Sequence, residues 1–199
     1  MSPTATVPDL AQSYLDTLAE LLRLTAVSDH EGRTLSLDEG FDRMSRATQE
    51  AHVHGGKIMF IGNGGSAAIS SHLAIDYLKN GGFRATAFND AATLTALGND
   101  FGYDEVFAKQ LELHAHPGDM LVAISSSGRS ANILNAVDVA RDGNCRVATF
   151  SGFSEENELR RRGDVNFYVR SDVYGFVEVA HLALCHASFD IAMGWRGGT

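Results

Sequence analysis

Residues 57–78, KIMFIGNGGSAAISSHLAIDYL, join a short apolar run, a glycine-containing turn and a segment with helical character. An apolar run of this length, bounded by turn residues, is typical of a buried strand. The turn from Gly62 to Ser66 therefore lies between a strand and the start of a helix. Backbone N–H groups at a helix start lack partners within the helix, and the helix dipole adds positive potential. The stretch thus predicts an α/β unit whose turn is suited to an anion.

The chain beyond residue 56 repeats this alternation of apolar runs and helical segments. Helices are expected between most of the runs, beginning near Ala67, Leu94, Glu105, Ser130 and Glu155. Such alternation predicts a parallel sheet covered by helices on both faces, with right-handed crossovers. Ligands bind outside the carboxyl ends of the strands in sheets of this kind. The five strand candidates are KIMFIG (57–62), RATAFN (84–89), MLVAIS (120–125), RVATF (146–150) and NFYVR (166–170).

The first 55 residues are expected to be all-helical. In residues 9–27 apolar side chains recur near helical spacing, and the polar segment 28–34 predicts a loop. Ser36 and Glu39 form the sequence of a capping box, which predicts a second helix with Gly40 inside it. Residues 173–193 predict a last helix that is apolar on more than one face, hence buried or shared with another subunit. We therefore divide the chain into a helical region, 1–55, and a main domain, 56–199, which is one structural unit.

Composition and charge limit the classes of partner. The chain has 199 residues, of which 44% are hydrophobic, which suits one substantial core. Its formal charge of −9 argues against nucleic acid or an anionic membrane as the main partner. Cys145 and Cys185 have no metal-binding or disulfide spacing, and the chain shows no signal peptide and no apolar stretch long enough to span a bilayer. These observations predict a cytoplasmic protein.

A second loop, residues 125–130 with the sequence SSSGRS, also follows a predicted strand and precedes a helix. It supplies hydroxyl groups and a glycine beside free backbone amides, which together make an uncharged cradle for phosphate. One glycine-rich loop is weak evidence, because a tight turn needs glycine for packing alone. Two such loops at the ends of strands are much stronger evidence for a phosphate site.

Two nucleotide-binding motifs are alternatives to this interpretation. The P-loop is excluded, because no glycine precedes a Lys-Ser or Lys-Thr pair in this chain. The dinucleotide fingerprint fits better, since Gly62, Gly64 and Ala67 match its spacing and Asp90 ends the next strand. Asp90 nevertheless lies farther along the chain than the usual distance of about 20 residues. This alternative also leaves the serine loop unexplained.

Three motifs together resemble the SIS (sugar isomerase) domain, and within it the phosphoheptose isomerases: GNGGS, GNDFGYDEVFAKQL and AISSSGRSANIL. The resemblance implies a three-layer, flavodoxin-like sandwich with a five-stranded parallel sheet, preceded by N-terminal helices. It implies conversion of sedoheptulose 7-phosphate to D-glycero-D-manno-heptose 7-phosphate through an enediol, in heptose biosynthesis such as that of lipopolysaccharide. It further implies zinc, no nucleotide, and a homotetramer in which region 1–55 packs between subunits and active sites lie at subunit interfaces.

The resemblance also assigns roles to residues. His72 and Asp76 are one helical turn apart and hence on one face, and both are good ligands for first-row metals. By resemblance, Asp76 is the general base, His186 is the acid, and zinc is held by His72, Asp76, Glu178 and His186. The residues expected to bind substrate are Asn63, Gly64, Gly65, Ser66, Asn99, Asp100, Ser125, Ser126, Ser127, Ser130 and Glu178, of which the serines hold phosphate.

The chain departs from the family pattern at three of these positions. Asp76 stands where the family has Glu, Phe176 where it has Arg, and Glu178 where it has Gln. Glu178 and His186 are also eight residues apart, about 12 Å along one helix, which is too far for a shared ion. Either Glu178 precedes the regular helix or the two residues come from different subunits. The alternative function is a non-catalytic SIS protein, similar to the replication initiator-associating proteins, which lack the terminal His or the second glycine that His186 and Gly65 provide here.

Overall fold

The computed structural model describes residues 7–198, and side chains from residue 9 onward. Seven helices and seven strands follow one another in this part of the chain, with short 3₁₀ turns at Tyr103–Glu105 and Glu158–Arg161. In chain order they are α1 (Val7–Arg23), β1 (Ala26–Ser28), β2 (Thr34–Leu35), α2 (Leu37–Val53), β3 (Ile58–Gly62), α3 (Gly65–Lys79), β4 (Ala85–Ala87), α4 (Ala91–Phe101), α5 (Ala108–His114), β5 (Met120–Ser125), α6 (Ala131–Asp142), β6 (Arg146–Ser151), β7 (Val165–Tyr168) and α7 (Tyr174–Ala192).

The strands form one sheet in the order β2-β1-β7-β6-β5-β3-β4. The five predicted strands are all present as β3 to β7, and every pair among them is parallel. One apolar core lies between the sheet and α2, α3 and α7, and a second lies between the sheet and α4 to α6. The predicted α/β sandwich with helices on both faces is confirmed. None of the helices in the described part of the chain has the length and apolar character that a membrane span requires.

The N-terminal region is not all-helical, which corrects the sequence-based prediction. The first helix ends at Arg23, and β1 and β2 form an antiparallel hairpin that extends the sheet along β7. The hairpin turn is held by Asp29, whose carboxylate accepts hydrogen bonds from the Arg33 backbone (3.0 Å) and guanidinium (2.7 Å). Val27 is buried against α2 at Gly40, where a Cβ would lie 2.7 Å from the Val27 side chain. Burial of Val27 against α2 and pairing with β7 thus outweigh the helical periodicity.

Two further helix predictions have different outcomes. The capping box at the start of α2 is confirmed, since the Ser36 and Glu39 side chains each bond the other residue's backbone N–H. The prediction of a helix from Glu155 is wrong, because only the 3₁₀ turn Glu158–Arg161 forms there. The buried Asn157 side chain donates to carbonyl oxygens of Gly152 and Ser154 and so holds a compact loop instead.

His181, on the buried face of α7, predicts a pH dependence of stability. Its Nε2 lies 3.0 Å from the Ser151 carbonyl oxygen, and its Nδ1 is buried without a partner among the described residues. Burial lowers the pKa of His181 from 6.5 to about 4, against the smaller opposing effect of the Ser151 hydrogen bond. Below pH 6.5 the unfolded state therefore binds more protons, and the free energy of unfolding should fall by about 1.4 kcal/mol per pH unit until pH 4.

The check is urea unfolding of wild type and His181→Gln at pH 7, 6, 5 and 4. Glutamine can still donate to the Ser151 carbonyl oxygen but does not titrate. The free energy of unfolding of the variant should depend less on pH than that of wild type, by roughly the contribution of one titrating group. Parallel curves for the two proteins over this range would show that His181 titrates normally in the folded state.

Candidate active site

The two predicted loops lie side by side. Parallel pairing of β3 with β5 places Gly62 opposite Ile124, so both chains leave the sheet at the same edge. They enclose a cleft of about 230 Å³ at the carboxyl ends of the strands. No lysine or arginine is among its lining residues, which are Asn63, Gly64, Gly65, Ser66, Ser125, Ser126, Ser127, Ser130, Tyr174 and Glu178. The cleft therefore offers hydroxyls and amides and one carboxylate.

The glycine loop turns sharply into α3. At Gly62 a Cβ would lie 2.6 Å from the Ser66 carbonyl group, so no larger residue fits against the returning backbone. Gly64 has φ of 54° and ψ of −120°, a conformation that suits glycine, and it is the residue before the first turn of α3. The N-terminus of α3 thus lies at the cleft, where its free N–H groups and the helix dipole stabilise negative charge.

The serine loop turns in the same way into α6. The Ser125 hydroxyl accepts a hydrogen bond from the Gly128 N–H (3.2 Å) and lies 3.3 Å from the Ser130 hydroxyl. Gly128 has φ of 61°, and Asn157 packs directly beneath it. Because Ser130 precedes α6, a second helix N-terminus faces the same cleft. The two turns form an anion cradle whose lining has no cationic side chain, because Arg129 of the serine loop donates to the Ser154 hydroxyl (3.2 Å) and is not among the lining residues.

A group of possible metal ligands lies farther along α3. Ligand atoms of His72, Asp76 and His186 all lie within 4.8 Å of one another. An Asp76 oxygen is 3.4 Å from His72 Nε2 and 3.9 Å from His186 Nδ1, and the two imidazole rings are 5.2 Å apart. Two imidazole nitrogens and one carboxylate oxygen are a set of three protein ligands typical of a catalytic zinc ion, whose fourth position is taken by water or substrate.

Glu178 does not join that group within one chain. It lies inside the regular part of α7, which excludes the alternative that it precedes the helix and leaves the alternative of two different subunits. Its carboxylate instead covers the glycine loop, where a Cβ on Gly65 would lie 2.5 Å from the carboxylate oxygens. Phe176, two residues before Glu178, stacks on Tyr14 of α1 with ring centroids 4.4 Å apart. An aromatic residue at position 176 thus packs α1 onto the start of α7.

The remaining predicted residues are placed as follows. Asn99 and Asp100 are exposed near the end of α4 and are not among the residues that line the cleft, although the Asn99 amide donates to Asp100 (2.8 Å). Asp90 caps α4 by accepting from the backbone N–H and the hydroxyl of Thr93, and these bonds lower its pKa. A carboxylate committed to a helix cap gives no support to the dinucleotide interpretation.

Three residues at the site were not predicted from the sequence: Tyr174, which lines the cleft, and Asn132 and Tyr103, which contact Asn63. The Asn132 side chain exchanges hydrogen bonds with Asn63, and the Tyr103 hydroxyl donates to the same Asn63 oxygen. Asn132 and Tyr103 lie inside the motifs that carry the family resemblance. Their proximity to the glycine loop is a tertiary contact and leaves no local signal in the sequence.

Comparison with known proteins identifies the family of this chain. Residues 26–152 match the SIS domain family model. A phosphoheptose isomerase of Paramagnetospirillum magneticum is 37% identical over 158 residues, which cover 76% of this chain and 82% of that protein. One of Akkermansia muciniphila is 34% identical over 177 residues, which cover 85% and 93%. The solved structure of a phosphoheptose isomerase of Neisseria gonorrhoeae is similar with a TM-score of 0.80 and 29% identity, over 94% of this chain and 99% of that one.

The two loops and the sheet define a phosphosugar-binding α/β protein. The chain belongs to the SIS-domain family, and within it to the phosphoheptose isomerases. The predicted class of enzyme, an aldose–ketose isomerase, is thereby confirmed. The family model ends at residue 152, so it covers both loops and His72 and Asp76 but not α7 with Glu178 and His186.

Proposed function

We propose that this protein converts sedoheptulose 7-phosphate to D-glycero-D-manno-heptose 7-phosphate through an enediol. The observation that carries the proposal is that His186 of α7 meets His72 and Asp76 of α3, the helix that begins at the phosphate cradle. Isomerisation of a phosphosugar needs a site that anchors the phosphate, together with a base and an acid held beside the reacting carbons. The chain has both parts, since α3 begins at the cradle and carries Asp76, and His186 contacts Asp76 from α7.

The cradle binds the phosphoryl group of the substrate. The N-termini of α3 and α6 stabilise its charge, and the hydroxyls of Ser66, Ser125 and Ser130 donate to its oxygens. The Glu178 carboxyl group also lines this cleft, and we propose that it contacts the sugar hydroxyls and not the phosphate. Asn63 and the backbone at Gly64 and Gly65 contribute further donors, whereas Asn99 and Asp100 of the predicted sugar-binding set do not line this cleft.

Asp76 and His186 move the protons. The Asp76 carboxylate removes a proton from C1 of the ketose and returns it to C2, which leaves the aldose. His186 donates a proton to the C2 oxygen and accepts the proton of the C1 hydroxyl, so the overall reaction neither gains nor loses protons. His72, Asp76 and His186 would hold a zinc ion, which when bound would supply a Lewis acid for the carbonyl oxygen.

Zinc binding makes a separate prediction. Removing one of three ligands with His72→Ala should weaken zinc binding by at least about tenfold. Zinc content is measured by elemental analysis after loading and desalting, with His30→Ala as the control because His30 is an exposed histidine outside the group. Equal zinc retention by wild type and His72→Ala would place the ion elsewhere.

We also propose the tetramer implied by the family, with Glu178 completing a neighbour's site. Exposed apolar side chains support an interface on the helical faces nearest the site: Leu10, Tyr14 and Leu15 on α1, and Ile75 and Leu78 on α3. The cytoplasmic location and a role in lipopolysaccharide synthesis stay predictions.

The test of function is turnover. Zinc-loaded protein is incubated with sedoheptulose 7-phosphate, and the aldose is followed by NMR. The matched background is the double variant Asp76→Asn with His186→Ala. Wild type should form the aldose clearly faster than the double variant. If wild type is no faster than the double variant across several ketose phosphates, the non-catalytic alternative, a phosphosugar-binding or partner-binding SIS protein, replaces this proposal.

A further inference from the structure

The side chain of Asn63, in the glycine loop, makes three hydrogen bonds to two neighbouring side chains. Its Nδ2 donates to Asn132 Oδ1 (2.9 Å), and its Oδ1 accepts from Asn132 Nδ2 (3.0 Å). The same Oδ1 accepts from the Tyr103 hydroxyl (3.0 Å). A side-chain amide has two acceptor sites and two N–H donors. The two bonds to Oδ1 therefore occupy its acceptor sites, and one N–H remains for a ligand.

The two partners come from two separate segments. Asn132 is only 2% exposed and belongs to the first turn of α6, directly after the serine loop. Tyr103 belongs to the 3₁₀ turn that follows α4, and Asn135 of α6 fixes that turn by donating to the Asp104 carbonyl oxygen (3.1 Å) and the Glu105 carboxylate (2.9 Å). Asn63 thus connects the glycine loop to the serine loop and to the 3₁₀ turn.

We propose that Tyr103 and Asn132 are positioning residues, which hold the Asn63 amide so that its free N–H faces the cleft as a donor to a substrate oxygen. The inference rests on the proposed function. Without the Tyr103 hydroxyl, Oδ1 regains a free acceptor site. Because flipping both amides together preserves the two bonds between Asn63 and Asn132, the Asn63 amide is then no longer held in one orientation. It then presents an acceptor to the sugar in part of the molecules, which weakens the contact.

The test is a double-mutant cycle between Tyr103→Phe and Asn63→Ala. Tyr103 is 59% exposed, so loss of its hydroxyl leaves the core intact. Tyr103→Phe should lower kcat/KM by about threefold to tenfold in the wild-type background, the size of one neutral hydrogen bond. In the Asn63→Ala background the same change should have no effect. A merely structural role of Tyr103 would give the same loss in both backgrounds and would overturn the inference.

One control variant and one further test variant complete the design. Tyr168→Phe removes a hydroxyl that donates to the Phe153 carbonyl oxygen (3.0 Å) outside the cleft, and kcat/KM should not change. Asn132→Asp keeps the size of the side chain but loses its donor, and should show the same dependence on Asn63 as Tyr103→Phe. If wild type shows no turnover, the proposed function fails, and the cycle is repeated on the dissociation constant of sedoheptulose 7-phosphate by calorimetry. Additive effects on that constant would overturn the inference independently.

Discussion

Asp76→Asn should lower kcat by about 10²- to 10⁴-fold, the usual contribution of a proton-transfer base. Asparagine has nearly the same shape as aspartate but cannot accept the C1 proton at neutral pH. The measurement is turnover of sedoheptulose 7-phosphate under saturating substrate. Zinc content is determined on the same samples, because Asp76 also belongs to the metal-ligand group.

His186→Ala should give a loss of similar size, and the double variant should be little worse than either single variant. Residues that act in one proton-transfer step are strongly non-additive, because the step fails when either is missing. Asp142→Asn is the control, since Asp142 is an exposed carboxylate at the far end of α6. Losses that multiply in the double variant would mean that Asp76 and His186 act in separate steps.

The second large effect is expected at the turn between β3 and α3. Gly62→Ala should lower the free energy of unfolding by about 1–3 kcal/mol, because its Cβ would lie 2.6 Å from the Ser66 backbone carbonyl group, which cannot move without displacing α3. The same displacement should weaken binding of the sugar phosphate. Urea unfolding measures the first effect, and calorimetric titration with sedoheptulose 7-phosphate measures the second.

Gly98→Ala is the matched control for that substitution. A Cβ at Gly98 would lie 3.7 Å from the Val106 side chain, an ordinary contact, and the residue is inside α4. Alanine should therefore raise stability by about 0.5–1 kcal/mol through its higher helix propensity. If both glycine variants were equally stable, the turn at Gly62 would be able to relax, and the tight approach to Ser66 would not be essential.

The main sheet is predictable from sequence because its strands are apolar runs bounded by turn residues. β3, β5, β6 and β7 are almost entirely buried, and each gives the pattern of a strand covered on both faces. The hairpin of β1 and β2 was missed because its strands have only three and two residues, too few for a period to be visible. Its formation depends on pairing with β7, distant in sequence, and on burial of Val27.

The site could be predicted as far as its motifs extend. The spacing of His72 and Asp76 on one helix face is local and required only a helix to be recognised. That His186 of α7 meets them follows from the family resemblance and from the packing of α3 against α7. The positions of Glu178 over Gly65 and of Asn132 against Asn63 depend on how α6 and α7 dock, which no local spacing encodes.

The most direct measurement is a crystal structure of the zinc-loaded protein with sedoheptulose 7-phosphate bound. The phosphoryl group should lie between residues 64–66 and residues 125–130, with C1 and C2 of the sugar within reach of Asp76 and His186. A phosphoryl group bound at any other part of the surface, or a sugar pointing away from α3, would contradict the account.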